Sequence, residues 1–110
     1  MLLAASDEVF GPRGLDVAVW GHISDGNVHP NVIPHVFADV EVGKEAMFQL
    51  GRRVIALGGS PMAEHGVGRN AVKQQLLREL YGDKGIEEMR RVKRAIDPES
   101  RLAPGVLFPA

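Results

Sequence analysis

Residues 15–33 read LDVAVWGHISDGNVHPNVI, and this stretch decides the fold. Its first part alternates and is rich in β-branched side chains, which is typical of a strand. The SDGN segment at residues 24–27 favours a tight turn. Residues 28–33 resume an extended pattern, in which a proline indicates an edge or irregular strand. The stretch therefore predicts a β-hairpin with the Asp25-Gly26 pair near its tip.

Three helices are predicted after the hairpin. Apolar residues recur at helical spacing over residues 41–57, 70–81 and 85–96. Glycines end the first two helices, and Asp97-Pro98 ends the third. The stripes that we expect to face the core are Met47, Leu50, Val54 and Leu57 in the first helix, Val72, Leu76 and Leu80 in the second, and Ile86, Met89, Val92 and Ile96 in the third.

The remaining segments carry weaker patterns. Residues 1–14 show no clear periodicity, and residues 60–68 predict a loop or a short strand. The tail, residues 99–110, is apolar but interrupted by prolines and a glycine, so we expect it to lie against another surface rather than fold on itself. No repeat or linker divides the sequence. We therefore predict a single domain over residues 1–110, of α+β class, with a small antiparallel sheet and about three helices packed on it.

Composition excludes several classes of protein. The 110 residues include 13 Lys+Arg and 14 Asp+Glu, so the net charge of −1 argues against a nucleic-acid binder. A hydrophobic content of 45% excludes a disordered tail. No apolar stretch approaches the roughly 18–20 residues that span a bilayer, and Asp7 and Glu8 interrupt the apolar start where a signal peptide would continue. We therefore expect a cytoplasmic protein without a membrane span.

The histidines suggest a metal site. Cysteine is absent, so any metal must be held by His, Asp or Glu. His22 and His29 leave the two predicted strands on either side of the turn and can face the same side. Glu64 offers an oxygen ligand. Two His and one carboxylate with open positions are typical of catalytic sites and suit Zn²⁺, Mn²⁺ or Fe²⁺.

Glu64 is followed directly by His65, and adjacent residues in an extended segment point to opposite sides. The two can hardly bind one metal unless the backbone bends, which Gly66 and Gly68 permit. We therefore expect a division of labour in which Glu64 binds the metal. His65 would then be free to move a proton as a general base near neutral pH.

Each of these signals also has a purely structural explanation. The DGN sequence at residues 25–27 is an ordinary turn signal. A seven-residue interval between His22 and His29 is no standard metal spacing, and a lone histidine is usually a surface or hydrogen-bonded residue. His35, next to Pro34, is expected to be one of these structural histidines.

Three motifs taken in order resemble the C-terminal part of FAD-linked oxidases, the group that includes D-lactate dehydrogenase, D-2-hydroxyglutarate dehydrogenase and the flavoprotein component of glycolate oxidase. The resemblance extends over about residues 15–108. The motifs are Gly21-His22-x-x-Asp25-Gly26-Asn27-x-His29, then Glu64-His65-Gly66-Val67-Gly68-Arg69, then Val92-Lys93-x-x-x-Asp97-Pro98 with Leu102-x-Pro104-Gly105.

This resemblance implies a fold and a reaction. Residues 15–98 would form part of a ferredoxin-like cap domain, and residues 99–110 would pack on an N-terminal FAD-binding domain or subunit that the chain does not contain. The implied reaction is oxidation of a D-2-hydroxy acid to the 2-oxo acid, with hydride passing to FAD. The chain would be inactive without its FAD-binding partner.

The resemblance also implies residue roles. His22, His29 and Glu64 match the ligands of a divalent ion, usually zinc, and His65 matches the base that takes the hydroxyl proton. Asn31 matches a polar residue that binds substrate or lies in the surroundings of the metal. The positions that match contacts to the cofactor are Asn27, Gly66, Pro104 and Gly105. Two alternatives remain open, a stand-alone metal-binding module and a domain that forms homo-oligomers, both without redox activity.

Overall fold

The computed structural model describes residues 1–109, which lie in two compact units, Met1–Gly59 and a second unit from Ser60 onward. Their elements confirm an α+β fold with a two-stranded antiparallel sheet and three helices. In chain order the elements are α1 (Leu2–Phe10), β1 (Asp16–His22), β2 (Asn27–Ile33) and α2 (Phe37–Ala56) in the first unit, and α3 (Ala71–Ile96) in the second.

The predicted hairpin is present. β1 and β2 pair antiparallel from Asp16 opposite Ile33 to His22 opposite Asn27. A short 3-10 turn, Ile23–Asp25, connects them, and Gly26 closes it in the left-handed region with φ 71°. The tip therefore lies where the DGN signal predicts it, because Gly26 adopts this backbone conformation without steric penalty.

The core of the first unit lies between the two helices and one face of the sheet. Ala5, Val9 and Phe10 of α1 are buried against Ala46 and Leu50 of α2. Val17 and Val32, which pair across the sheet, pack on this cluster. Helix α1 was not expected, since residues 1–14 carry no clear periodicity, and its burial against α2 is what makes it part of the core.

Helix α2 begins at Phe37, four residues before the predicted start at residue 41. The carboxylate of Asp39 accepts hydrogen bonds from the backbone N–H groups of His35 and Val36, and these bonds hold the pKa of Asp39 below its usual value. They satisfy amides at the start of the helix that would otherwise lack partners. The end of α2 agrees with prediction, although Leu57 is 45% exposed rather than in the core.

Helix α3 is interrupted at Gly82, whose φ of 69° and ψ of 172° are not helical. The break confirms that residues 70–81 and 85–96 form separate helical arms. Leu76 is buried as expected, and Ile86 and Met89 of the second arm are half-buried. Val92 and Ile96 are 61% and 72% exposed, so the C-terminal half of the predicted apolar stripe does not enter the core. No helix within residues 1–109 is long and apolar enough to cross a membrane.

The tail lies along α3, within its own unit. The N–H of Leu107 donates to the carbonyl of Gly68 at 2.8 Å, and the Phe108 ring lies under the guanidinium of Arg90 at 5.4 Å. Asp97 accepts hydrogen bonds from the amides of residues 101 and 102. These contacts hold the tail against other segments of its own unit. Packing on a flavin domain stays a prediction.

Candidate functional site

The hairpin separates its residues onto two faces. Successive side chains of a strand point to opposite sides, and residues directly across an antiparallel pair share a side. Val17 and Val32 face the core, so the alternate residues form the other face. We call this surface the histidine face; its members are Asp16, Ala18, Trp20 and His22 from β1 and Asn27, His29, Asn31 and Ile33 from β2.

His22 and His29 converge on the histidine face. Their ring centroids lie 6.3 Å apart with an edge-to-face angle of 81°, and a ring nitrogen of each lies within 4.8 Å of the other. His22 is exposed and His29 half-buried. Zn²⁺ takes imidazole nitrogens at about 2.0–2.1 Å, so the two nitrogens must lie within about 4.2 Å of each other to bind one ion. The expected convergence is confirmed, and the donor set fits a divalent ion.

The absence of a side chain at Gly21 leaves space for the His29 ring. Its φ of +140° lies in a region that other residues rarely adopt. A Cβ at this position would overlap the carbonyl oxygen of Asn27 and lie 2.8 Å from Cδ2 of His29. The hairpin can therefore bring the His29 ring over the backbone of β1 only because residue 21 has no side chain.

Two asparagines flank the histidine pair. Asn27 lies directly across from His22, and Asn31 follows His29 on the same strand and side. The Asn31 side-chain amide donates to the carbonyl of His29 at 2.8 Å. Their predicted contacts, Asn31 with substrate and Asn27 with the cofactor, stay predictions, but both amides lie on the face that carries the imidazoles.

Glu64 and His65 lie in a turn of the second unit rather than in an extended segment. Ala63 and Gly66 have positive φ, 50° and 72°, and the bent backbone brings the two side chains together. Nε2 of His65 lies 3.3 Å from Oε1 of Glu64, and both side chains are about half exposed. Side chains alternate in a strand but not in a turn, so alternation no longer supports separate roles for Glu64 and His65. That Glu64 binds the metal and His65 acts as the base stays a prediction from the family resemblance.

The turn and the tail are joined by a residue that the sequence did not single out. The Gln74 side-chain amide donates to the carbonyl of Gly68 at 3.2 Å and to that of Gly105 at 2.8 Å. Lys73 also donates to the carbonyl of Gly66 at 2.9 Å. Two segments predicted to contact the cofactor, around Gly66 and around Pro104-Gly105, are thereby held at one end of α3.

Comparison with known proteins gives these features a context. The chain is 29% identical to glycolate oxidase subunit GlcD of Bacillus subtilis, with 97% of the chain and 23% of that protein covered. It is 33% identical to the probable mitochondrial D-lactate dehydrogenase of Danio rerio, with 91% and 19% covered, and 36% identical to the D-2-hydroxyglutarate dehydrogenase of Xanthomonas citri pv. viticola, with 84% and 20% covered.

The chain thus spans about a fifth of the length of these relatives. Residues 1–107, nearly the whole chain, match the family described as FAD linked oxidases, C-terminal domain. The histidine hairpin, the Glu64-His65 turn and the tail therefore lie within a single family domain. This chain belongs to the FAD linked oxidases, of which it represents the C-terminal domain.

Proposed function

We propose that the chain is the substrate-binding portion of an FAD-dependent oxidoreductase that oxidises a D-2-hydroxy acid to the 2-oxo acid. Three relatives named for hydroxy-acid oxidation support this proposal. The observation that carries it is the convergence of His22 and His29 on the histidine face. Two imidazoles that share one side of a rigid hairpin form half of a metal site able to bind the substrate oxygens.

In this proposal His22, His29 and Glu64 hold a divalent ion, with zinc the best match to their nitrogen and oxygen donors. The bound ion supplies Lewis-acid chemistry by polarising the hydroxyl and carboxylate oxygens of the substrate. Glu64 is assigned from its place in the Glu-His-Gly motif, and the hairpin pair from its geometry.

His65 is the proposed general base. It takes the proton from the C2 hydroxyl while hydride leaves C2, and FAD provides the hydride acceptor when bound. The 3.3 Å approach of Oε1 of Glu64 to Nε2 of His65 supports this role, because a neighbouring carboxylate orients the imidazole. In this proposal Asn31 donates a hydrogen bond to a substrate oxygen.

The proposed partner is an FAD-binding domain or subunit, since the relatives are about five times longer than the region that they share with this chain. Asn27, Gly66, Pro104 and Gly105 are the proposed contacts to the cofactor. The chain alone is then a portion of the active enzyme, and its own testable property is metal binding.

Calorimetric titration with ZnCl₂ tests the metal site on the chain itself. We expect one zinc ion per chain, and at least about tenfold weaker binding after either His22→Ala or His29→Ala, since even residues outside the direct ligand set change affinity 10–100-fold. His35→Ala is the matched control, because His35 is exposed and its Nε2 lies at hydrogen-bond distance, 2.6 Å, from a carboxylate oxygen of Asp16, outside the histidine pair. Equal affinities in all four proteins would refute the site.

An assembly role is the second candidate function, and a different observation favours it. Val92 and Ile96 lie one turn apart on α3 and are largely exposed, as is Leu102 in the tail. Exposed apolar side chains in one region often mark contacts with another chain. Light scattering distinguishes the two: self-association abolished by Ile96→Glu would support assembly, and a monomer at all concentrations would exclude it.

A further inference from the structure

Trp20 is a large aromatic residue in an unusual position. It is the only tryptophan in the sequence, and it is 56% exposed although tryptophan is among the residues most buried on average. It lies directly across the sheet from His29 and two residues before His22, on the histidine face. By register, Trp20 is therefore the apolar residue next to both histidines on this face.

The other residues of the histidine face determine which substrate substituents can bind next to the indole of Trp20. Apart from the two histidines, the only ionisable side chain among its eight residues is Asp16, at the open end of the hairpin. The face offers no lysine or arginine to pair with a second carboxylate. A dianionic substrate would have to bring that carboxylate beside an indole, which is unfavourable without a cationic partner. An alkyl substituent would instead bury apolar area there.

We propose that Trp20 is a specificity-determining residue, whose indole packs against the alkyl group on C2 of the substrate and selects short aliphatic monocarboxylic 2-hydroxy acids over dicarboxylic ones. This inference rests on the proposed function, since it assumes that the hydroxyl and carboxylate of the acid bind at the histidine pair. The pair fixes the polar end of the substrate, and Trp20 forms the wall for its apolar end. Such a division is the usual design of small-molecule sites.

Calorimetry on the zinc-loaded chain tests the proposal with four acids: glycolate, (R)-lactate, (R)-2-hydroxybutyrate and (R)-2-hydroxyglutarate. Affinity should rise about fourfold for each carbon added along the first three, the value expected for burying one CH₂. Trp20→Ala should reduce that increment to below twofold, with zinc and glycolate affinities unchanged. Trp20→Phe, which keeps an aromatic ring, should retain most of the increment. 2-Hydroxyglutarate should bind the wild-type chain at least tenfold more weakly than 2-hydroxybutyrate.

The outcomes separate this inference from the function on which it rests. Absence of zinc binding, or of any acid binding to the zinc-loaded chain, would overturn the proposed function and the role of Trp20 with it. Binding of zinc and glycolate with equal affinities along the aliphatic series would overturn the role of Trp20 alone. So would an increment that survives Trp20→Ala, or tighter binding of 2-hydroxyglutarate than of 2-hydroxybutyrate.

Discussion

Gly21 connects backbone conformation to the candidate site, and its replacement is the first prediction. Gly21→Ala forces a Cβ into a positive-φ position, at a cost of about 1–3 kcal/mol. It also overlaps Asn27 and crowds His29, which adds about 1–3 kcal/mol of overpacking. We expect lower stability in urea unfolding, and zinc affinity reduced at least about tenfold because the His29 ring is displaced.

Gly26→Ala is the matched control for this prediction. Gly26 also has positive φ, 71°, but a Cβ there meets nothing within 4 Å. This variant should therefore show the conformational destabilisation of about 1–2 kcal/mol without the loss of zinc affinity. Equal zinc affinities for the two variants would show that Gly21 does not position the histidine.

Asp97 gives a prediction about pH. The ammonium of Lys93 and the backbone N–H groups of Leu102 and Arg101 hold the pKa of Asp97 below its usual value. A carboxylate with a lowered pKa in the folded state contributes stability above its unfolded pKa of about 3.9, and that contribution disappears as the pH falls through the folded pKa. Stability should therefore drop below about pH 4 more steeply in the wild type than in Asp97→Asn.

Urea unfolding between about pH 2 and pH 6, a range that brackets the unfolded pKa, measures this dependence. Lys93→Gln serves as the companion variant, because it removes the nearest cation and keeps the two backbone donors. Its acid dependence should lie between that of the wild type and that of Asp97→Asn. An unchanged slope in Asp97→Asn would show that other carboxylates dominate acid unfolding.

At the scale of whole elements, the parts with strong local signals could be predicted. The hairpin follows from strand alternation around a DGN turn, and the break in α3 follows from Gly82. Helix α1 was missed because it has no capping side chain, and its stability comes from burial of Ala5, Val9 and Phe10 against α2. Their i, i+4, i+5 spacing was the available signal, although nine residues make it weak.

The candidate site also has parts that could be predicted from the sequence and parts that could not. The convergence of His22 and His29 could be predicted, because register within one hairpin fixes it. The contact between Glu64 and His65 could not, since it depends on a non-glycine residue, Ala63, taking positive φ. Gln74 gave no signal either, because an amide in an amphipathic helix is indistinguishable in sequence from a solvated one.

Gln74 leads to a prediction at this scale. Its amide joins the turn at Gly68 to the tail at Gly105, so Gln74→Ala should loosen the tail without unfolding α3. The amide of Leu107, which donates to Gly68, should exchange with deuterium about fivefold to tenfold faster, as expected for loss of about 1 kcal/mol of hydrogen bonding. Gln75→Ala, at the exposed neighbouring position, should leave that exchange rate unchanged. Equal rates in both variants would contradict the linking role.

For the whole molecule, exposure is the informative property. His22 is exposed, and the side chains of Glu64 and His65 are 47% and 62% exposed, whereas the proposed hydride transfer requires a site from which water is excluded. The three candidate metal-binding and catalytic residues His22, Glu64 and His65 thus lie on the surface of their units rather than in an enclosed cavity. The proposed function therefore requires an FAD-binding domain or subunit to cover these residues, and the relatives are about five times longer than the region that they share with this chain.

The last prediction tests the division of labour in the assembled enzyme. In a complex of the chain with an FAD-binding domain of this family, a D-2-hydroxy acid should bleach the oxidised flavin. His65→Gln should slow that reduction by about 10²–10⁴-fold, the usual contribution of a general base, and leave zinc affinity unchanged. Glu64→Gln should reduce both the rate of flavin reduction and the zinc affinity, because loss of a metal ligand weakens ion binding and the reaction depends on the bound ion. If His65→Gln releases zinc, or Glu64→Gln keeps it, then the two adjacent side chains have the opposite roles.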